Sequence, residues 1–243
     1  MSDSVSVDVR ERVTVVSLAR PEKANALSGE MADGIRDAVH RAAAEGARAL
    51  VLRGEGRHFC AGFDFGDFER LTDGDLALRF LQVEEMLQAV FHAPMPVLAL
   101  VQGRAVGAGA DLAAAAMRVV AAPGVRFQMP GPRFGVVLGT RRLAYRIGPV
   151  AARQIQIESR PVADDEARAL GLVDALVPAE DWPAEIDRFA ESYTQLGASV
   201  TAALADVTRP DTRDADMAAL ARSVAVPGLK ERIAAFRAAA ARR

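Results

Sequence analysis

Up to Ala121 the chain alternates short apolar runs with stretches of helical periodicity, and this alternation restricts the possible folds more than any other property of the sequence. Runs at Val5-Val9 and Val13-Leu18 flank Arg10-Glu11-Arg12, which reads as a hairpin turn. Ser28 precedes Met31, Ile35, Ala38, Val39 and Ala42, the spacing of a helix that reaches about Glu45 and stops at Gly46. Strand-like runs at Ala49-Leu52, Val97-Val101 and Val119-Ala121 then alternate with helical stretches at about Leu76-His92 and Ala108-Met117. Such an order implies parallel pairing through right-handed crossovers, so the class is α/β.

From Asp164 onward the composition turns Ala-rich and charged. Ala184-Leu196, Asp214-Ser223 and Leu229-Ala241 read as helices punctuated by Arg209-Pro210-Asp211 and Val226-Pro227-Gly228. The last stripe, Leu229, Ile233 and Phe236, is too short to stand alone and needs a surface on the core or on another subunit. Two parts are expected, a core over residues 1–180 and a helical region over 181–243.

With 243 residues, 51% of them apolar, the chain can bury a large core. Thirty basic residues against thirty-two acidic ones leave a net charge of -2, without the electrostatic footprint of a nucleic-acid or anionic-membrane binder. One cysteine, Cys60, cannot form an internal disulfide, and the three histidines lack metal-ligand spacing. These features fit a cytoplasmic protein with no structural metal and no membrane span.

Two Gly-rich segments carry the chemistry: His58-Phe59-Cys60-Ala61-Gly62-Phe63-Asp64-Phe65 and Gln102-Gly103-Arg104-Ala105-Val106-Gly107-Ala108-Gly109-Ala110-Asp111-Leu112. Each follows a strand-like run and leaves a backbone amide among small neighbours, as two donors converging on one carbonyl oxygen require. Ala108 starts a predicted helix, where N–H groups lack acceptors and the helix dipole adds positive charge.

Together with Arg20-Pro21-Glu22-Lys23-Ala24-Asn25-Ala26-Leu27 and the run from Ala167 through Gly171 to Asp174, these segments stand in an order that resembles the crotonase superfamily, the enoyl-CoA hydratase/isomerase group. The resemblance covers about Val13 to Pro178. It implies a spiral of ββα turns, a C-terminal helical region that builds trimers or hexamers, and an acyl-CoA thioester substrate that brings coenzyme A with it, with no separate cofactor. It also implies an oxyanion hole made by the Phe63 and Ala108 amides. Contacts to CoA would come from Lys23, Ala24, Ala26, Leu27, Ala61, Asp64 and Phe236, with Lys23 or Arg20 toward phosphates. Phe236, Arg237, Arg242 and Arg243 would reach CoA across a subunit boundary.

The chain departs from that pattern where family hydratases use two glutamates, because Asp111 and Gly131 occupy those positions. A third acidic position used by some relatives falls on Gly139. Two-carboxylate hydration is therefore not expected. Asp111, on a largely apolar helix, is the candidate acid/base; the competing reading is a structural ion pair with Arg104, Arg133, Arg141 or Arg142. Glu84, beside the apolar face of Phe80, Val83, Leu87 and Phe91, is a second catalytic candidate against a solvated helix edge. Cys60 reads as a packing residue, Asp64 as a turn cap, and His40, His58 and His92 as unconnected to nucleophilic chemistry. Two functions follow: an acyl-CoA enzyme that moves a proton through Asp111, or a non-catalytic carrier or sensor that keeps only the acyl-CoA cradle.

Overall fold

The computed structural model describes residues 4–240 and 242. Its larger sheet has six strands in the order β1 (Val5–Arg10), β2 (Val13–Leu18), β3 (Ala49–Gly54), β4 (Val97–Val101), β6 (Arg118–Ala121) and β9 (Ala175–Leu176). A smaller sheet joins β5 (Arg104–Val106), β7 (Arg126–Gln128) and β8 (Val162–Ala163). β1 and β2 form the expected antiparallel hairpin, and β2-β3, β3-β4, β4-β6 and β6-β9 all pair in parallel. The crossovers run through α1 (Gly29–Ala44), α2 (Asp73–Phe91) and α3 (Ala108–Ala115). The α/β reading holds, and the smaller sheet is an addition to it.

Local chemistry sets the helix boundaries. Ser28 Oγ accepts the Met31 N–H at 3.2 Å to open α1, and Thr72 and Asp75 close a reciprocal capping box on α2. α3 has no side-chain cap, because Gly107 precedes it at φ 52°, and it ends at Ala115 rather than at Met117. All eight of its residues are buried, in keeping with a helix that is apolar on every side.

The second half is more helical than the sequence reading expected. α4 (Thr140–Ile147), α5 (Pro149–Glu158) and α6 (Asp164–Ala169) precede β9, followed by α7 (Trp182–Thr194), α8 (Ala198–Thr208), α9 (Arg213–Val224) and α10 (Leu229–Ala240). Leu229 and Ile233 of α10 are fully buried in the same apolar core as α2 and α3, so the last helix packs on its own chain. Among the described residues, no helix is long and apolar enough to cross a membrane, and no cluster of three or more His, Cys, Asp or Glu could hold a metal.

Candidate functional site

The two Gly-rich segments are stitched together by a parallel bridge between Cys60 and Ala105. The Cys60 N–H donates to the Arg104 carbonyl at 3.2 Å, and the Val106 N–H donates to the Cys60 carbonyl at 3.0 Å. Phe63 and Ala108 each lie three residues beyond this bridge, so the register delivers them to the same place. Gly62 makes the close approach possible: a Cβ there would stand 2.4 Å from the Val106 carbonyl oxygen and 3.5 Å from the Ala108 nitrogen, and its φ of 86° disfavours any side chain. Leu27 brackets Phe63 from the other side, donating to the Gly62 carbonyl and accepting from the Asp64 N–H. Neither the Phe63 nor the Ala108 N–H donates to a protein acceptor among the described residues.

Both amides lie on a cavity of about 840 Å³ that is also lined by Asp111, the Gly131–Phe134 turn, the end of α5 and the inner face of α10. Asp111 sits one helical turn beyond Ala108 and is 5% exposed. It forms no ion pair with Arg104, Arg133, Arg141 or Arg142, and its carboxyl makes no hydrogen bond among the described residues. Burial pushes its pKa up to about 8; the Arg142 charge opposes the rise and the Glu84 charge adds to it. The carboxyl rests against Gly139, where a Cβ would come within 2.3 Å of Asp111 Oδ1. Gly139 is thus the open space into which the Asp111 carboxyl fits.

Glu84 does not line this cavity. It is 1% exposed and binds Arg142 Nη2, while Gln88 Nε2 donates to its other oxygen at 2.9 Å. Arg142 Nη1 reaches Asp216 Oδ2 at 3.1 Å, and Arg141 and Thr212 also donate to Asp216, so the cluster ties α2 and α4 to α9. Burial raises the Glu84 pKa against the pull of Arg142. Its place is in a buried ion cluster rather than against a ligand.

Other side chains are accounted for locally. Cys60 is fully buried, its sulfur accepts the Gly62 N–H at 3.4 Å, and burial pushes its pKa up to about 12, which removes it as a nucleophile. Asn25, buried at φ 55°, accepts the Arg20 N–H and donates to the Glu55 and His58 carbonyls. It pins the loop before α1 to the first Gly-rich segment. His40 is exposed on α1, and burial lowers the pKa of both His58 and His92, in His92 to about 4.

The comparisons with known proteins agree on the family. The enoyl-CoA hydratase/isomerase family model matches residues 8–227. The chain belongs to the enoyl-CoA hydratase/isomerase family. It is 44% identical to an enoyl-CoA hydratase/isomerase-type protein of known structure from Bordetella parapertussis, with a TM-score of 0.95 over 98% of this chain and 99% of that one. A protein named probable enoyl-CoA hydratase in Rhodobacter capsulatus is 38% identical over 74% of this chain and 70% of its own length. Another, from Mycobacterium tuberculosis, is 33% identical over 76% and 77%.

Within this hydratase/isomerase frame, the residues assigned to CoA divide into two groups. Ala61 and Phe236 line the cavity. Lys23, Ala24, Ala26 and Leu27 are not among its lining residues, although the Ala24 carbonyl accepts the Ala61 N–H. Asp64 accepts the Gly66 N–H at 2.8 Å, the turn role expected of it, and pairs with Arg20 at 2.8 Å. Arg20 also donates to the Ala26 carbonyl and so braces the loop. Lys23 is exposed. Phe236 lies 5.1 Å from the Phe134 ring and lines its own chain's cavity. The buried Leu229–Ile233 stripe folds α10 back onto the core. Arg237 stacks 4.7 Å over Phe68, and Arg243 lies outside the described residues.

Sequence reasoning missed several polar residues of the cavity wall, among them Gln128 on β7, Gln156 and Glu158 on α5, Ser159 just after it and Arg232 on α10. Gln156 had a readable signal: it shares a helix face with Ala152 and Ile155, a polar side chain on an otherwise apolar stripe.

Proposed function

We propose that the chain is an acyl-CoA enzyme that polarises the thioester carbonyl with the Phe63 and Ala108 N–H groups and moves a single proton through Asp111. The observation that supports this reading is the presence, in one cavity, of two amides and a buried carboxyl with no hydrogen-bond partner among the described residues. Negative charge developing on the carbonyl oxygen would be met by donors already in place, one of them at an uncapped helix N-terminus. A carboxyl with a pKa of about 8 is poised to give or take a proton near neutrality. With glycine at positions 131 and 139, the machinery suits a one-carboxylate proton transfer, such as isomerisation or an atypical hydration or dehydration, rather than two-glutamate chemistry. CoA would enter as part of the substrate, and the reading requires no resident cofactor.

Ala108→Pro and Asp111→Asn test the two halves. Proline is tolerated at the first position of a helix, so the first change removes the N–H with little harm to α3. We expect it to lower kcat/KM on enoyl- or 3-hydroxyacyl-CoA by about 10²–10³-fold. Asp111→Asn should lower kcat by about 10²–10⁴-fold while acyl-CoA affinity, measured by titration calorimetry, stays within a few-fold. Tight binding by the wild type with no turnover on any enoyl-, hydroxyacyl- or simple acyl-CoA would establish the carrier reading instead.

A further inference from the structure

Two buried polar side chains reach the acyl side of the cavity, and the function proposed above uses only Asp111. The other is Gln156, 8% exposed. Its Nε2 donates to Thr140 Oγ1 at 3.1 Å, and that hydroxyl donates onward to the Leu138 carbonyl at 3.4 Å, which fixes the amide in place. A side-chain amide has two polar atoms; Thr140 engages one, and the other makes no hydrogen bond among the described residues, on a side chain that lines the cavity. Thr140 follows Gly139, against which the Asp111 carboxyl rests, so carboxyl and amide enter the cavity from adjoining positions. The remaining lining is mixed: Gln128, Arg133, Glu158, Ser159 and Arg232 contribute polar groups, while Phe63 stacks on Phe80 at 4.3 Å and Phe134 links Phe80 to Phe236.

A hydrocarbon chain filling this space would bury the amide atom without a partner, a costly outcome. An acyl group with an oxygen at that point would satisfy it. A pocket built to pair a polar substituent discriminates against the analogue that lacks it far better than a purely apolar pocket discriminates one methylene. The amide is uncharged and its neighbour is a carboxyl, so the fitting substituent is neutral.

We propose that Gln156 is a specificity-determining residue that selects acyl groups bearing a neutral hydroxyl or carbonyl oxygen a few carbons beyond the thioester, over plain hydrocarbon acyl groups. The proposal rests on the acyl-CoA reading of the cavity. Its test is a set of dissociation constants for the wild type, Gln156→Leu and Gln156→Met, measured with CoA, with butanoyl- and hexanoyl-CoA, and with their counterparts oxygenated at carbon 3, 4 or 5. For the wild type, at least one oxygenated thioester should bind about tenfold or more tightly than its parent. Both apolar variants should cancel that preference while CoA itself binds within about twofold of wild type.

A preference that persists in both variants overturns the assignment, as does a wild type that binds each parent thioester as tightly as every oxygenated form. If the wild type binds neither CoA nor any thioester, the acyl-CoA reading falls and the role of Gln156 falls with it. Binding without oxygen preference removes the role of Gln156 and leaves the acyl-CoA reading standing.

Discussion

Asp111 and Glu84 are both buried carboxylic acids on helices of one core, yet their surroundings assign them different work. Glu84 is held by Arg142 and Gln88 inside a cluster that continues to Asp216, Arg141 and Thr212. Asp111 faces a cavity, rests on a glycine and has no hydrogen-bond partner among the described residues. Burial raises the pKa of both, but a group with two fixed donors is committed to them, whereas one with none is free for a ligand. The comparison teaches that partnering, rather than depth, separates a carboxyl committed to the structure from one left open to a ligand.

The strongest way to break the comparison is to remove the cation from the structural side. Arg142→Met leaves Glu84 and Asp216 buried without it, and breaking one partner of such a cluster costs about 3–5 kcal/mol. Thermal unfolding should show a melting temperature lower by about 10 °C for a chain of this size. A loss below about 1 kcal/mol would mean that the cluster does not hold α2, α4 and α9 together.

An effect of comparable size, read against pH, is expected on the cavity side. Between the unfolded pKa of about 3.9 and the folded value of about 8, the native state keeps a proton on Asp111 that the unfolded chain has released. The contribution of Asp111 to stability is therefore fully present below about pH 4 and is lost as pH rises through about 8. In denaturant titrations the wild type should lose about 4 kcal/mol between pH 5 and pH 9 relative to Asp111→Asn. The same slope in both proteins would show that Asp111 is not a buried neutral acid.

The sequence made one side of this comparison easier to read than the other. The hairpin, α1 and the strand β4 were legible because short-range periodicity and Gly or Pro punctuation set their limits. The meeting of Phe63 and Ala108 at one cavity was legible because the two Gly-rich segments and the start of α3 are written locally. The short strands β5, β7 and β8 were not, since runs of two or three residues carry no period and exist through pairing with partners distant in sequence. The ion cluster was hidden for a similar reason: 58 residues separate Glu84 from Arg142 and 74 separate Arg142 from Asp216. Glu84 accordingly looked like a free carboxylate when it was half of a buried pair. α10 posed the same difficulty, because its apolar stripe announced packing without saying on which surface.

The smallest expected effect tests whether the two regions act on each other. The Glu84 charge raises the pKa of Asp111 and the Arg142 charge lowers it, so the cluster sets part of the cavity's acidity without touching it. Glu84→Gln keeps the shape and an oxygen for Arg142 but removes the negative charge, leaving the arginine less compensated. Asp111 should then ionise more readily. In the direction where Asp111 gives up a proton, the alkaline limb of kcat/KM should move from about pH 8 to lower pH, by less than one unit, because charges beyond direct contact couple weakly through a protein interior. A purely structural glutamate would change stability and leave the limb in place. A shift to higher pH would contradict the electrostatic sign, and a shift well beyond one unit would mean that the cluster opens and Arg142 turns toward the cavity.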